Sequence, residues 1–201
     1  MKLYFSPGAC SLSPHIVLNE AGLAHTIERV NFGTKLTASG ADFKAINPKG
    51  SVPALQLDDG NVLTEGAVIV QYLADLVPGK NLAPAVGTMP RYRLMETLNF
   101  ISTELHKSFS PLFNPAATDA AREAAIKHLQ PRISFISRQL GDEDYLGGKQ
   151  FTVADAYLFV VLSWSARVKL SLADWPNIQA FLTRVAARPA VHAAMVAEGL
   201  I

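Results

Sequence analysis

Residues 78–87, Pro-Gly-Lys-Asn-Leu-Ala-Pro-Ala-Val-Gly, separate two stretches of different hydrophobic rhythm. Two prolines, two glycines and no apolar period stop any helix or strand from running through, so the domain boundary belongs there. Before the segment the apolar period switches between two and about 3.6 residues; after it only the helical period remains. The expected domains are an α/β unit at 1–80 and an all-α unit at 87–201, joined by the linker 78–87. A length of 201 residues is enough for two small cores. With 49% apolar and 17% charged residues the chain is globular rather than disordered. A net charge of +1 without a basic run argues against nucleic acid or an anionic membrane as partner. No apolar run is long enough to span a bilayer, and Pro7 and Gly8 interrupt any secretory pattern. One cysteine permits no internal disulfide, so the cytoplasm is the expected location.

The first unit reads β-α-β-α-β-β-α. Lys2–Phe5 is a strand. Ser11 or Ser13 caps a helix with Pro14 in its first turn, ending at Gly22. His25–Asn31 alternates as a second strand, and a short helix follows near Asp42–Ala45. Ala54–Leu57 and Val62–Leu63 are strands joined by Asp58-Asp-Gly60, a hairpin signal. Thr64 is expected to cap a helix over about 65–76, with Ile69, Tyr72, Leu73 and Leu76 on one face. In the second unit Thr88 caps a long helix with the apolar stripe Leu94, Leu98, Ile101, Leu105, Phe109 and Leu112. A helix over 119–140 contains Pro131, which is expected to kink it. Thr152 and Asp155 have capping-box spacing and open a nearly all-apolar helix, 153–170, suited to the centre of a domain. Helices at 176–187 and from Ala190 close the chain.

Four constellations carry chemistry. Cys10 lies where the first strand turns into the first helix, a place where unpaired N–H groups and the helix dipole favour an anionic sulfur. Most free cysteines are simply small buried apolar residues, and only the position of Cys10, with Ser11 beside it, argues for more. Val52-Pro53 begins a strand; in the cis form it would offer the N–H and C=O of Val52 as an edge for a peptide. Glu65-Gly66 at a helix start either complements the dipole or cradles both charges of an α-amino acid end. Asn99, Thr103, His106 and Ser110, at i, i+4, i+7 and i+11, form a polar stripe without lysine or glutamate. Such stripes are usually solvated faces; this composition suits a binding wall, and His106 is expected to titrate near neutral pH. The histidine spacing suits no metal site, there is no Walker or dinucleotide loop, and Asp155 reads as a cap rather than a catalytic acid.

The chain resembles the cytosolic glutathione transferases over essentially its whole length. The motifs that carry this are N-P-K-G-S-V-P-A-L (47–55), L-T-E-G (63–66), Q-Y-L (71–73), T-E-L-H-K (103–107) and F-T-V-A-D-A-Y (151–157). The start S-P-G-A-C-S (6–11) together with His106 is similar to the bacterial beta class; Tyr4 lies inside the first strand instead of at the tyrosine position of other classes. The resemblance implies an N-terminal thioredoxin-like domain, an all-α C-terminal domain and a homodimer, with glutathione as co-substrate held between the two domains and no prosthetic group. It implies Cys10 beside the glutathione sulfur with Ser11 and His106 assisting, and Lys35 at the glycyl carboxylate. Val52 beside a cis Pro53 would pair with the cysteinyl backbone. Glu65 and Gly66 would hold the γ-glutamyl end, and Asn99, Thr103, Glu104, Leu105 and His106 would line the helical side. Many relatives carry serine where Gly66 stands, which removes one hydroxyl contact.

The reaction implied is attack of the glutathione thiolate on a small hydrophobic electrophile. Two thiolates a few ångströms apart repel, so Cys10 either stays neutral and donates to the glutathione sulfur or forms a mixed disulfide with it. The second course would be thiol–disulfide exchange, with glutathione resolving the disulfide. A reading of another class is a non-catalytic binder of apolar ligands.

Overall fold

The central strand β1 (Lys2–Phe5) buries Leu3, Tyr4 and Phe5, so apolar residues on both its faces are covered. In the computed structural model, which describes residues 1–201, it is the second strand of a sheet ordered β2-β1-β3-β4. β2 (Thr26–Arg29) pairs with β1 in parallel, while β3 (Ala54–Gln56) and β4 (Val62–Thr64) add antiparallel. The parallel pair needs a crossover, which α1 (Leu12–Ala21) supplies. Gly22 ends α1 in the left-handed region at φ 69°, its N–H donating to Asn19 O. Asp42 caps α2 (Phe43–Ile46) by accepting from the Lys44 N–H at 2.9 Å. The β-α-β-α-β-β-α order is that of the thioredoxin-like unit.

Thr64 does not cap the next helix. It extends β4 opposite Ala54, and Glu65 takes the N-cap position of α3 (Gly66–Asp75). The buried face of α3 is Ile69, Val70, Leu73 and Ala74, while Leu76 lies past its end and is exposed. Strand β2 likewise ends at Arg29, short of the alternation's reach, although the Val30 N–H still donates to Phe5 O at 2.8 Å and Val30 also bridges Thr37.

The chain divides into one unit of Met1–Leu82 with Ala187–Ile201, and another of Ala83–Ala186. The last helix therefore clusters with the α/β unit, although 87–201 was expected to be one helical domain. α9 (Pro189–Ala197) packs on α1: Arg188 makes a two-pronged ion pair with Glu20 at 2.6 and 2.9 Å, and Asn19 Nδ2 donates to Ala190 O. Nothing in a helix's own period reports which distant helix it meets.

The second unit is all helical: α4 (Met89–Phe100), a π-helical turn (Ile101–His106), α5 (Lys107–Phe113), α6 (Asp119–Leu140), α7 (Val153–Arg167) and α8 (Pro176–Ala186). Thr88 caps α4 by accepting from the Arg91 N–H, and all six expected stripe residues from Leu94 to Leu112 are buried. α6 runs as one helix through Pro131. α7 is buried over most of its surface and stops at Arg167, where Lys169 turns left-handed at φ 58°. No helix is long and apolar enough to cross a membrane.

α7 is anchored by Asp155, which is wholly buried. Oδ2 accepts from the Thr152 N–H and hydroxyl, each at 2.8 Å, and Oδ1 accepts from the Leu146 N–H at 2.8 Å. Burial pushes its carboxyl up to about 6 against the pull of these donors. Replacing Asp155 by alanine removes the cap and strands two buried N–H groups. A loss of about 2–4 kcal/mol in urea-unfolding free energy is expected, and a loss under about 1 kcal/mol would mean that the donors find other partners.

Candidate functional site

The loop after β1 holds Cys10 by closing on itself. Ser11 Oγ accepts from the Ser6 N–H at 3.1 Å and donates to Ser6 O at 3.3 Å, and the Ala9 N–H donates to Ser6 O at 3.0 Å. Ser11 is wholly buried by these bonds, so its hydroxyl fastens the loop and is not free to assist chemistry at the thiol. Cys10 is half-buried. Its Sγ donates to Val52 O at 3.3 Å, a bond that requires the proton to be on sulfur. Val52 O, expected to face a peptide, thus already has one partner.

The Val52–Pro53 bond is cis. Val52 and Pro53 are buried, and the Asn47 side chain secures the preceding turn by donating to Ser51 O at 2.7 Å. A Cβ added at Gly66 would meet Pro53 Cγ at 3.7 Å, an ordinary contact. The glycine is therefore not demanded by space. Cys10, Val52, Pro53 and Gly66 form a chain of neighbours leading to the start of α3.

Glu65 sits there at φ 70°, ψ 111°, a conformation a side chain rarely adopts. The strain turns the chain from β4 into α3 and leaves the carboxylate exposed at the helix start. Lys49 Nζ donates to Glu65 Oε1 at 2.6 Å and to Thr64 Oγ1 at 3.0 Å. Lys49 was not singled out in the sequence, where Asn47-Pro-Lys-Gly50 reads as turn chemistry, yet it is the cation that meets the expected ammonium-binding carboxylate. Lys35, also left-handed at φ 59°, donates to Gly50 O at 2.9 Å, and its ammonium lies 5.4 Å from the Phe32 ring centroid.

In the helical unit the expected stripe divides. Asn99, Thr103 and Ser110 are exposed, and Thr103 Oγ1 donates back to Asn99 O. His106 instead turns inward at the end of the π-helical turn. Its Nδ1 shares a 2.7 Å hydrogen bond with the Tyr157 hydroxyl, and its ring meets the edge of Trp164 at 4.9 Å. Burial, aided by the Lys107 charge, holds the imidazole down at about 4, so it is neutral at pH 7 and does not titrate near neutrality as expected. Trp164 also gathers Phe109 and Phe113, and Arg167 lies over Phe113 at 5.7 Å. Two other expected wall residues face elsewhere: Leu105 is wholly buried in the core, and Glu104 pairs with Arg132 at 2.8 Å. His/Cys/Asp/Glu groups that could hold a metal are absent.

The glutathione S-transferase N-terminal domain matches residues 8–76 and the C-terminal domain residues 100–189. Glutathione S-transferase GstA of Escherichia coli O157:H7 is 48% identical over 200 residues, covering all of both chains. Among solved structures, the ternary complex of BphK, a bacterial GST, aligns at TM-score 0.97 and 59% identity over 99% of this chain and 100% of that one. A sphingomonad glutathione S-transferase complexed with glutathione aligns at 0.96 and 45%, covering both chains fully. The beta-class enzyme of Sphingomonas chungbukensis aligns at 0.96 and 46%, again with full coverage. With both domains matched and full-length relatives at this identity, the chain belongs to the glutathione S-transferase family, among its bacterial beta-class members.

Proposed function

We propose that this chain conjugates glutathione to small hydrophobic electrophiles: the glutathione sulfur attacks an electrophilic carbon, a C–S bond forms, and the leaving group departs with its electron pair. The observation that carries the reading is the run of neighbours Cys10–Val52–Pro53–Gly66, a thiol beside a strand edge that leads to a helix start. A γ-glutamyl-cysteinyl-glycine tripeptide offers the complementary groups in the same order. Its sulfur would lie by Cys10, its cysteinyl backbone by Val52, and its amino-acid end at Glu65 and the Gly66 N–H. Lys35 is the cation for its glycyl carboxylate. To receive the ammonium, Glu65 must release Lys49; an exposed pair of this kind is worth only about 0–1 kcal/mol, so the exchange is cheap.

We assign Asn99 and Thr103, exposed on the helical unit, to contacts with the substrates, and His106 to the neutral wall they adjoin. Cys10, with its S–H turned from Val52 O to the glutathione sulfur, stabilises one neighbouring thiolate, which two ionised sulfurs could not do. The half-buried thiol, which no disulfide occupies, also favours a second reading, disulfide exchange through a Cys10–glutathione mixed disulfide that a second glutathione resolves. The cytoplasm, where thiols stay reduced, suits either reaction.

A homodimer is part of the proposal. Met89, Tyr92 and Met95 lie exposed at i, i+3 and i+6 on α4, and Val68 is exposed on α3. Apolar rows of this kind mark covered faces. Light scattering should give twice the chain mass, and Tyr92→Glu with Met95→Glu should give monomer; a monomeric parent chain refutes the dimer.

Cys10→Ala separates the two chemistries. Conjugation of an activated aryl halide should fall by about tenfold or less, the worth of one hydrogen bond, whereas reduction of a mixed-disulfide substrate should fall by about a hundredfold or more. Saturable glutathione binding with no turnover of either substrate would leave only a non-catalytic binder.

His106 supplies a pH test. Its folded pKa, about 4, lies below the ordinary 6.5, so the unfolded chain takes up the proton first. Stability from this group is full above pH 6.5 and is lost as pH falls toward 4. His106→Gln should flatten that part of the stability profile, and an NMR titration of His106 centred near 6.5 would contradict its burial.

A further inference from the structure

Glu198 is placed where a carboxylate is costly. It follows the last residue of α9, at the negative end of the helix dipole, and its side chain is wholly buried. Neither the helix nor solvent accounts for that position, so its partners must. Oε2 accepts from the Gly8 N–H at 2.9 Å, and Oε1 shares a 2.9 Å hydrogen bond with His15 Nδ1. His15 is itself buried on α1, between the Phe5 ring at 6.3 Å and the His25 ring at 5.6 Å. The imidazole thus fixes one carboxylate oxygen while the other reaches the loop.

Gly8 is left-handed at φ 64° and stands two residues before Cys10. The rest of the loop is held from within, by Ser11 on Ser6 and by Ala9 on Ser6. Glu198 adds a tie from the far end of the chain at the turn that sets the direction of the thiol toward Val52 O.

We propose that Glu198 is a positioning residue for Cys10, so that the C-terminal segment governs the reactivity of the thiol loop. His15 holds the Glu198 carboxylate in register, and the carboxylate holds Gly8. The catalytic consequence rests on the transferase reading above; the positioning itself does not.

Because Cys10 is the only cysteine, alkylation by iodoacetamide reports on it alone. Glu198→Ala frees the loop and should raise the alkylation rate constant by about fivefold or more. Glu198→Gln, whose amide oxygen still accepts from the Gly8 N–H, should stay within about twofold of the parent chain. Arg188→Ala weakens the docking of α9 without touching Gly8 and should also stay within about twofold. An unchanged rate in Glu198→Ala, or an equal rise in Arg188→Ala, overturns the proposal. If Glu198→Ala does not fold, hydrogen exchange in the parent chain decides: a Gly8 amide as protected as those of α1 supports the tie, and one exchanging like an exposed loop amide refutes it. None of these readouts uses glutathione, so a chain that passes them yet conjugates nothing would lose the transferase reading and keep this one.

Discussion

The loop from Ser6 to Ser11 must satisfy its backbone polar groups without belonging to a strand or a helix, and much of the first unit is arranged around that requirement. A buried N–H left without an acceptor costs as much as a lost hydrogen bond. Ser11 meets Ser6, Ser6 O meets Ala9, and the Gly8 N–H is met by Glu198, 190 residues away in sequence. This last acceptor can be delivered only if α9 lies against α1. There α9 buries Val191 and Ala194, and the Arg188–Glu20 pair and the Asn19 contact to Ala190 O only add to that packing. The first unit is thus closed by a helix that its own stretch of sequence does not contain.

Local rules accounted for most of the elements. Asp119–Leu140 forms the expected helix to the residue, Thr88 caps α4, and the Thr152–Asp155 box opens α7, because a cap and a 3.6-residue period act within a few residues. They failed where a distant partner decided the outcome. Thr64 has the chemistry of a cap, but pairing with Ala54 extends the strand past it and gives the turn to Glu65 at a strained φ. The period of α9 was plain and its neighbour was not. Cys10, Val52 and Glu65 were singled out in the sequence because each stands at a junction between elements. Lys49 and Glu198 were not, since a lysine in a turn and a glutamate near a terminus are ordinary surface residues until the fold places a carboxylate or a buried amide beside them.

His106 shows how one backbone irregularity redirects chemistry. Along a regular helix it would share a face with Asn99 and Thr103, about 100° of rotation per residue returning it to the same line. The wider π-helical turn over Ile101–His106 delivers it instead to Tyr157 and Trp164. Its polar neighbours remain in solvent while the imidazole loses water and with it the proton. Residue type alone marked His106 as a group that switches charge; its surroundings make it a neutral imidazole.

Of the two groups that residue type marked as ionisable, His106 is held neutral at pH 7 by burial, and Cys10 places its sulfur 3.3 Å from Val52 O, a carbonyl that can accept only from a protonated thiol. A general base of the usual kind would need an imidazole poised near neutrality, and this histidine is far below it. On the proposed reaction, a glutathione thiolate would be stabilised by the Cys10 S–H turning to it from Val52 O, not by proton abstraction by this histidine at the moment of attack. That arrangement favours one anion and penalises a second, which is what conjugation requires. Disulfide exchange through Cys10 needs a sulfur that gives up its proton altogether. On the proposed reading both courses draw the thiol proton away from Val52 O, so the loop's hold on the thiol, through Ser6, Ser11 and Glu198, bears on each of them.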